Sequence, residues 1–361
     1  MDTSFWNGKR VFLTGHTGFK GGWLALWLAK LGAEVRGYAL DPCTTPNLFD
    51  VARIGSVIDD PRGDIRDGER LRASIQEFRP EIVFHLAAQP LVRYSYEDPV
   101  GTYATNVLGT VNLLESVRHT PGVRAVVSVT TDKCYENKEW IWPYRETDPL
   151  GGYDPYSSSK ACAEIVSAAY RQSFFPVAEL GKKHTVAVAT ARAGNVIGGG
   201  DWSTDRLIPD LVRGFLSGAP VLIRNPHAIR PWQHVLEPLH GYMRLAEQLF
   251  TGDAKYATAY NFGPLQSDAR PVQWIADHMA RAWSSDASWV LDEAPSPHEA
   301  NYLKLDASRA QADLGWVPLL RLETALDLLV QWYQQWQAEG DMHAFTLDQI
   351  DRFEAIAAGG E

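Results

Sequence analysis

Residues 11–22 read Val-Phe-Leu-Thr-Gly-His-Thr-Gly-Phe-Lys-Gly-Gly, an apolar run that leads into spaced glycines. The run predicts a β-strand, and the glycines predict a tight turn into a helix over about residues 19–31. In dinucleotide-binding folds, such glycines permit the turn, admit a pyrophosphate to the backbone and let helix and strand pack closely. Gly15, Gly18 and Gly21 would take these roles in turn, with the positive end of the helix directed at the phosphates. A plain tight turn would carry the same glycines, but their place between a strand and an apolar helix favours a cofactor loop.

An acidic residue follows the second predicted strand, which covers residues 34–40. In nicotinamide enzymes, a carboxylate at this position binds the ribose hydroxyls of NAD and repels the 2′-phosphate of NADP. Asp41 occupies this place and no arginine follows the strand directly, so we expect NAD. The alternative is that Asp41 only forms the turn before Pro42.

Strands and helices alternate through the first half of the chain. Apolar strands are predicted at 81–88, 124–130 and 185–192, a short strand at 63–67, and a long helix over 99–119. This alternation predicts an α/β fold, a Rossmann-type doubly wound parallel sheet. Asp64 and Ile65 in the short strand could flank an adenine, and Asn106 in the long helix would face either the site or the core.

A later helix over 237–250 and a strand over 257–262 are expected to rejoin this sheet. The smaller substrate domain is therefore predicted to be discontinuous. We predict a cofactor domain of residues 1–195 plus about 236–263, a substrate domain of about 196–235 plus 264–345, and a C-terminal tail of 346–361.

The composition narrows the class of protein. The chain has 361 residues and a net charge of −10, which argues against non-specific binding to nucleic acid or to an anionic membrane. Its three cysteines have no metal-ligand spacing, so we expect no metal site and a reducing compartment. The first residues lack the features of a signal peptide, and the apolar runs are too short to cross a bilayer. We expect a cytoplasmic protein.

A second informative stretch is residues 156–160, Tyr-Ser-Ser-Ser-Lys. Tyr156 and Lys160 would lie one turn apart on the same face of a helix that runs to about residue 174. An ammonium group beside a phenol favours the phenolate, so Tyr156 could act as a base near neutral pH. The same spacing also occurs where both side chains only line a half-exposed face. The glycine loop upstream favours the catalytic interpretation.

Polar residues follow the strand predicted over residues 124–130. Thr131, Asp132 and Lys133 would project from the carboxyl end of a central strand into the crevice where such sheets bind ligands. Their alternative role is to form a turn.

The segment that follows, up to residue 153, is rich in aromatic and turn residues, which is consistent with a lid. We expect Trp140, Trp142 and Tyr144 to exclude water from the site. Such a lid would favour the neutral, basic form of Lys133.

Several stretches resemble the extended short-chain dehydrogenase/reductase family. They are TGHTGFKG, HLAAQ, TTDKCY, YSSSK and RAGNVIGGGDW. Within that family, the chain resembles the nucleotide-sugar 4,6-dehydratases over nearly its whole length, and NPHAIRPWQHVLEP and PHEANYLKLD resemble the branch that acts on CDP-glucose. The resemblance implies NAD as the cofactor and CDP-glucose as the substrate, which would be converted into CDP-4-keto-6-deoxy-D-glucose. It also implies a place in deoxysugar biosynthesis for surface polysaccharide such as the O-antigen of lipopolysaccharide.

The family's catalytic roles can be assigned by position. Tyr156 would be the base on the 4-hydroxyl, while Lys160 would lower its pKa and hold the nicotinamide ribose. Thr131 would hydrogen-bond the same hydroxyl, and Asp132 would protonate the departing 6-hydroxyl. Relatives that act on thymidine-diphosphoglucose or GDP-mannose carry a glutamate where this chain has Lys133. The base at carbon 5 is therefore open between Lys133 and a nearby carboxylate such as Glu136.

Cationic and polar residues of the second half could bind the nucleotide sugar. Asn195 lies in a glycine-rich loop before Arg206, and both are candidate phosphate or sugar contacts. Arg230 lies in a proline-rich turn, and its planar guanidinium matches phosphate oxygens in a bidentate manner. The loop could instead be a flexible connection. His298 and Tyr302 could bound the base or the diphosphate, or be ordinary packing residues.

The motifs and the resemblance together predict two sets of contacts. The predicted cofactor contacts are Gly15, Thr17, Gly18, Phe19, Gly21, Asp41, Asp64, Ile65, Ala87, Gln89, Asn106, Tyr156 and Lys160. The predicted substrate contacts are Gln89, Arg93, Asn195, Arg206, Arg230, His298 and Tyr302. The helices over 99–119 and 156–174 also resemble the pair that forms the family's dimer interface, which implies a homodimer or a dimer of dimers.

Two other functions share parts of these motifs. A nucleotide-sugar 4-epimerase needs Tyr156, Lys160 and the glycine loop, but it has no need of an acid at Asp132. A redox-sensing protein that binds the cofactor without catalysis has no use for a Tyr–Lys pair. Loss of one water from CDP-glucose would distinguish a dehydratase from both.

Overall fold

The structure is a computed structural model that describes residues 2–284, 286–292 and 302–359. Its strands are β1 (Arg10–Thr14), β2 (Glu34–Tyr38), β3 (Ile82–His85), β4 (Ala125–Val129), β5 (Ala187–Ala193), β6 (Asn195–Ile197), β7 (Val221–Ile223), β8 (Ile229–His234), β9 (Ala259–Phe262), β10 (Ala269–Pro271) and β11 (Trp289–Leu291). Its α-helices are α1 (Phe19–Lys30), α2 (Leu48–Val51), α3 (Gly68–Phe78), α4 (Val92–Glu97), α5 (Pro99–Tyr103), α6 (Gly109–Arg118), α7 (Pro155–Ser173), α8 (Leu207–Ser217), α9 (Leu236–Thr251), α10 (Val272–Trp283), α11 (Ser308–Leu314), α12 (Leu322–Gln337) and α13 (Met342–Ala357).

A six-stranded sheet organises the cofactor half of the molecule. Its strand order is β2-β1-β3-β4-β5-β9, and every neighbouring pair is parallel. Helices connect the parallel strands and cover both faces, which confirms the predicted doubly wound α/β fold.

The sheet is buried on both faces, as the apolar strands predict. Val11 and Leu13 of β1 point into one hydrophobic core, whereas Phe12 between them points into a second core on the other side. The same alternation continues along β3, β4 and β5. A parallel sheet covered by helices requires this pattern because neither face meets water.

The predicted strand over residues 63–67 is wrong. The chain instead forms single parallel bridges to the edge of β2 at Asp59 and Arg62, just before that segment. Asp64 then accepts hydrogen bonds from the backbone amide and the guanidinium of Arg66, at 2.8 Å in each case. This local side-chain bonding forms a turn, which competes with an extended conformation.

The long helix predicted over residues 99–119 is present as three consecutive segments. Between α5 and α6, residues 104–108 form one stretch of π-helix. Such a bulge shifts the register of side chains and is frequent near functional sites. Here it contains Asn106, which is buried beside α7.

Two small sheets lie in the second half of the chain. One has the order β10-β8-β6, and the other pairs β7 with β11. Because all six strands of the large sheet fall within residues 10–193 and 259–262, we propose to keep the predicted bounds of the two domains.

The C-terminal segment is a packed helix rather than a tail. α13 lies against α1, where Glu354 accepts a hydrogen bond from the Trp27 indole at 2.7 Å and pairs with Lys30 at 2.5 Å. The Phe353 ring is buried and packs edge-on against Trp27, with 5.7 Å between ring centroids. α13 therefore belongs to the core that supports the first helix of the cofactor domain.

Replacing Phe353 with Ala should lower the free energy of unfolding by about 3–5 kcal/mol, because it empties a buried aromatic site. The measurement is urea denaturation followed by circular dichroism. The control is Ile356→Ala on the exposed side of the same helix, which should change the free energy by less than about 0.5 kcal/mol. Equal effects of the two substitutions would contradict the structural role of α13.

Candidate active site

A large cavity lies at the carboxyl edge of the parallel sheet. It has a volume of about 1000 Å³ and is lined by the turn after β1, the ends of β3, β4 and β5, the start of α7 and parts of the smaller domain. Ligands bind at this edge in open α/β sheets because successive strand ends diverge there. Predicted site residues that line the cavity are Gly15, Thr17, Gly18, Phe19, Gly21, Asp41, Asp64, Ile65, Ala87, Arg93, Thr131, Lys133, Tyr156, Lys160, Asn195, Arg206 and Arg230.

The glycine turn has no room for side chains at the positions that the sequence singled out. Gly15 has φ +80°, and a Cβ there would lie 2.7 Å from the backbone nitrogen of Ala87. A Cβ on Gly21 would lie 2.1 Å from the carbonyl oxygen of Gly15. Gly18 is exposed at the N-cap of α1, so the helix amides behind it are open to the cavity. This arrangement fits the pyrophosphate of a dinucleotide.

Asp41 lies at the far end of the cavity, where the adenosine ribose of a dinucleotide would be. Its side chain is 86% exposed, and the Arg62 guanidinium lies 3.4 Å from it. Arg62 also pairs with Asp60 at 3.0 Å and stacks over the Phe49 ring at 4.5 Å. Sequence analysis did not identify this arginine, because it reaches Asp41 from a separate segment beyond β2.

The helix that carries the proposed base begins with a strong cap. Asp154 and Ser157 form reciprocal side-chain bonds to each other's backbone, and Pro155 occupies the first turn. Tyr156 follows directly, so the cap fixes where its phenol points. The side chain is 8% exposed and lies at the cavity wall.

The electrostatics of Tyr156 differ from the expectation. Burial raises its pKa to about 12, while a hydrogen bond with Thr131 and the charge of Arg206 act to lower it. Lys160 is not among the groups with the largest effect, because its ammonium turns away to donate to the Val129 carbonyl at 3.1 Å. Burial lowers the pKa of Lys160 to about 8. A further cation in the cavity would lower the pKa of Tyr156 toward neutral pH.

Asp132 lies directly behind the cavity wall and is fully buried. One carboxylate oxygen accepts a hydrogen bond from Thr131 at 3.0 Å and lies 3.7 Å from the Lys133 ammonium. The other oxygen has no hydrogen-bond partner among the described residues. A buried, half-satisfied carboxyl group is costly, and such groups often serve a reaction.

The prediction that three aromatic side chains cover the site is wrong, although other residues of the same segment, such as Asn137 and Tyr153, line the cavity. Trp140, Trp142 and Tyr144 do not line the cavity, and Trp142 is 63% exposed. Tyr144 instead stacks on Tyr135, with 5.2 Å between ring centroids, inside a separate small core. The side chain of Lys133 remains 33% exposed.

Polar groups from residues 195–232 also line or approach the cavity. Arg206 is paired with Asp201 at 2.8 Å, and Arg230 lies in β8. The Asn195 side-chain oxygen and the Trp232 indole nitrogen are buried and lack hydrogen-bond partners within the described part of the chain. These donors and acceptors suit a ligand with phosphate and hydroxyl groups.

Some predicted contacts do not line the cavity. Gln89 turns its side chain to Thr102 and the Leu91 carbonyl, so it shapes the loop instead. Asn106 uses its amide to bond both backbone groups of Gln89, at 2.8 and 3.0 Å. Tyr302 pairs through its backbone with Ile229 and is likewise not a cavity residue. His298 lies outside the described residues.

Lys20 is the most informative residue that the sequence analysis missed. It lines the cavity in the first turn of α1, and its ammonium lies 5.7 Å from the centre of the Tyr242 ring. Burial lowers its pKa to about 7, and the charges of Lys160 and Arg206 act in the same direction. The sequence signal that could have identified Lys20 is its position as a charged residue in the otherwise apolar first turns of α1. Arg224, Asn225 and Trp232 also line the cavity. They belong to the turn over residues 224–232 that the sequence indicates for a pyrophosphate, from which only Arg230 was chosen as a contact.

Two features, a metal-binding cluster and a membrane-spanning helix, are absent from the described part of the chain. Within the described residues, His, Cys, Asp and Glu side chains form no cluster suited to a metal ion. The helices in that part of the chain are all too short or too polar to cross a membrane.

The fold occurs in solved nucleotide-sugar enzymes. UDP-glucose 4-epimerase of Thermotoga maritima with UDP-glucose superposes with a TM-score of 0.78 at 22% identity, covering 91% of this chain and 99% of that one. UDP-glucose 4-epimerase of Thermus thermophilus in complex with NAD has a TM-score of 0.75 at 26% identity, covering 90% and 99%.

The sequence comparison is more specific. CDP-glucose 4,6-dehydratase of Salmonella typhimurium is 57% identical over 342 residues, which is 95% of each chain. The model of the family described as GDP-mannose 4,6 dehydratase matches residues 12–329. The match covers most of the chain, including the glycine turn, Asp132 and the Tyr156–Lys160 pair. The chain therefore belongs to the GDP-mannose 4,6 dehydratase family.

Proposed function

We propose that the protein is a hydro-lyase that removes one water from CDP-glucose and yields CDP-4-keto-6-deoxy-D-glucose, with NAD as a cofactor that is regenerated in each cycle. The observation that carries this proposal is the buried Asp132 carboxyl group beside Tyr156 and Thr131. The identity to the Salmonella typhimurium enzyme supports the choice of CDP-glucose. A 4-epimerase would have no use for the acid at Asp132, so that alternative is less favoured.

The residues of the glycine turn and of the cavity edge would hold NAD. Gly15, Gly18 and Gly21 would admit the pyrophosphate, and Asp41 would bind the adenosine ribose. Arg62 is held by Asp60, Asp41 and the Phe49 ring, so it is not free to take a 2′-phosphate. These contacts favour NAD over NADP. Bound there, NAD would supply a reversible hydride acceptor for carbon 4 and carbon 6, and the positive charge of its nicotinamide would favour the Tyr156 phenolate.

The side chains then divide the proton transfers. Tyr156 takes the proton of the 4-hydroxyl, and Thr131 holds that hydroxyl in place. An ordinary aspartate is ionised and an ordinary lysine is protonated at pH 7. The Lys133 ammonium is 3.7 Å from Asp132, so a proton passed between them gives an acid for the departing 6-hydroxyl and an amine for the carbon-5 proton.

The cellular setting follows from the same reaction. The cysteines Cys43, Cys134 and Cys162 are all free, which fits a reducing cytoplasm. A nucleotide-linked 6-deoxysugar is a precursor for surface polysaccharide, such as the O-antigen of lipopolysaccharide.

We further propose that the protein is a homodimer or a dimer of dimers. Large apolar side chains are exposed on α5, α7 and the π-helical stretch, with Val100, Leu108 and Ile165 at 79%, 58% and 58% exposure. Contiguous exposed apolar surface on neighbouring helices favours association with a second copy.

Replacing Tyr156 with Phe should reduce dehydration of CDP-glucose at least about 100-fold, because one positioned base contributes about 10²–10⁴-fold. The measurement is mass spectrometry of the nucleotide sugar for loss of one water. Tyr170→Phe on the same helix, where the phenol donates to Glu115 at 3.3 Å, is the control and should keep the wild-type rate. A Tyr156→Phe variant with more than about a tenth of the wild-type rate would contradict the assignment.

Replacing Asp132 with Asn should spare oxidation at carbon 4 and block elimination, because the amide cannot protonate the leaving hydroxyl. Quenching with borodeuteride should then trap a hexose that carries deuterium at carbon 4 and retains its 6-hydroxyl. Unchanged turnover would show that Asp132 is not the acid.

Replacing Lys133 with Met should stop exchange of the carbon-5 proton with deuterated solvent, because the amine that accepts this proton is lost. The control is Lys138→Met, since Lys138 is an exposed residue paired with Glu136. Exchange at the wild-type rate in Lys133→Met would transfer the role of base to Glu136.

Replacing both Leu108 and Ile165 with Glu should produce monomers, since carboxylates in an apolar interface cannot shed their water. Sedimentation velocity at micromolar concentration measures this directly. A wild-type protein that sediments as a monomer would rule out the proposed assembly.

A further inference from the structure

A buried ion pair lies behind the catalytic residues and is not used by the reaction as described. Glu164 of α7 and Arg192 of β5 are 3% and 4% exposed, and their charged atoms lie 2.8 Å apart. Replacing a buried pair by apolar residues of similar volume is often neutral or stabilising, so such a pair is weak evidence for a stabilising role. The contacts of Glu164 indicate another use.

The Glu164 carboxylate links α7 by hydrogen bonds to the end of β4 and to β5. One oxygen accepts a hydrogen bond from Thr130, the residue that follows β4 and precedes Thr131. The other accepts from Thr190 of β5 at 2.7 Å and from Arg192. One carboxylate therefore sets the position of α7, which carries Tyr156, relative to the strand end that carries the other proposed catalytic residues.

Arg192 extends the same network across the sheet. Its guanidinium donates to the Tyr135 hydroxyl at 2.8 Å, and that hydroxyl donates to Asn261 of β9 at 2.7 Å. All of these groups are buried, so the network is rigid and its charges act in a low dielectric.

Lys160 is the charged group that this network faces. Glu164 follows it by one helical turn on the same face of α7, a spacing that brings side chains within about 6 Å. Lys160 is 7% exposed, and its ammonium forms no salt bridge within the described residues. Its hydrogen bond is to the neutral Val129 carbonyl. Glu164 is therefore the nearby buried anion on its helix.

We propose that Glu164, held in its ionised form by Arg192, is a positioning residue that keeps Lys160 cationic and fixes α7 against the strand end bearing Thr131 and Asp132. The proposal rests on the proposed function, because it concerns the same two residues, Tyr156 and Lys160. It deepens that function by assigning a role to a charged pair outside the cavity.

The charge balance supports this assignment. Burial lowers the pKa of Lys160 to about 8, and Glu164 is the strongest influence in the opposite direction. Burial alone would raise the pKa of Glu164, but Arg192 and the two threonine hydroxyls outweigh it and hold that pKa below its ordinary value.

Other titratable groups surround Lys160 without replacing Glu164. The His85 ring on β3 is neutral, because burial lowers its pKa to about 3. Burial raises the pKa of the Cys134 thiol, so that group is neutral as well. Lys20 on α1 is a second amine in the cavity, and the charge of Lys160 contributes to lowering its pKa to about 7. The remaining titratable groups around the cavity end of Lys160 are Asp132, Tyr156 and Arg206.

The sign of the expected pH effect follows from Lys160. Its positive charge is present below its pKa and is lost as the pH rises through about 8. Removing the negative charge of Glu164 lowers this pKa further, so the cation is lost at a lower pH. Because the cationic form of Lys160 is the one that would hold the nicotinamide ribose, the alkaline limb of kcat should move toward acid. A purely structural role would lower kcat by the same factor at every pH.

The test is Glu164→Gln, which keeps the shape and hydrogen-bonding capacity of the side chain and removes its charge. In full-length protein labelled with [ε-¹³C]lysine, the Lys160 signal is assigned by its disappearance in Lys160→Arg. Its titration midpoint should fall by about one pH unit or more, a tenfold change in the ionisation constant. The ratio of kcat at pH 8 to kcat at pH 6.5 should fall about fourfold in parallel, because the protonated fraction of Lys160 at pH 8 drops while most of it is kept at pH 6.5.

Ser167→Ala, a buried substitution on the same helix away from the network, is the control and should leave the titration unchanged. If Glu164→Gln leaves Arg192 unpaired and fails to fold, Glu164→Gln with Arg192→Gln removes both charges. The Lys160 midpoint should then still fall, but by less than in the single variant, because the lost Arg192 cation acts in the opposite direction. A Lys160 midpoint equal to that of the wild type in a folded variant would overturn the proposal. The titration needs no turnover, so it remains informative even if the wild type does not dehydrate CDP-glucose.

Discussion

The docking of α7 against the carboxyl end of β4 is the contact on which the site depends. α7 supplies Tyr156 and Lys160, and the residues after β4 supply Thr131 and Asp132. Neither segment has a complete set of acid and base groups. The parallel sheet brings them together because its buried strands all end at one edge, where the cavity lies. A shift of α7 by a fraction of an ångström would separate the phenol from the hydroxyl that it must deprotonate.

Cationic side chains from three separate helix starts line this cavity, although the chain as a whole is acidic. Lys20, Lys160 and Arg206 influence one another's charge or that of Tyr156. Like charges placed together lower the pKa of each amine, and this cost is recovered when an anion binds between them. A nucleotide sugar and a dinucleotide both bring diphosphates to the cavity. The arrangement therefore fits two phosphate-bearing ligands better than a neutral one.

Local sequence patterns correctly predicted those elements whose structure is determined by residues adjacent in the sequence. The glycine turn and β1 were predicted because a strand, small residues and an apolar helix follow one another directly. The strand predicted at 63–67 was wrong because Asp64 bonds locally to Arg66. The positions of Arg62 beside Asp41 and of α13 against Trp27 arise from contacts between distant segments, which spacing cannot reveal. The prediction that Tyr144 covers the site was wrong for the same reason, since its ring stacks on Tyr135 instead.

The central claim is that one active site oxidises carbon 4 and reduces carbon 6 of the same sugar. The most direct measurement uses CDP-glucose that carries deuterium at carbon 4, followed by mass spectrometry and NMR of the product. The account predicts a product that has lost one water and carries the deuterium at carbon 6, without net consumption of NAD. A product that keeps its 6-hydroxyl, or one that contains no deuterium at carbon 6, would contradict it.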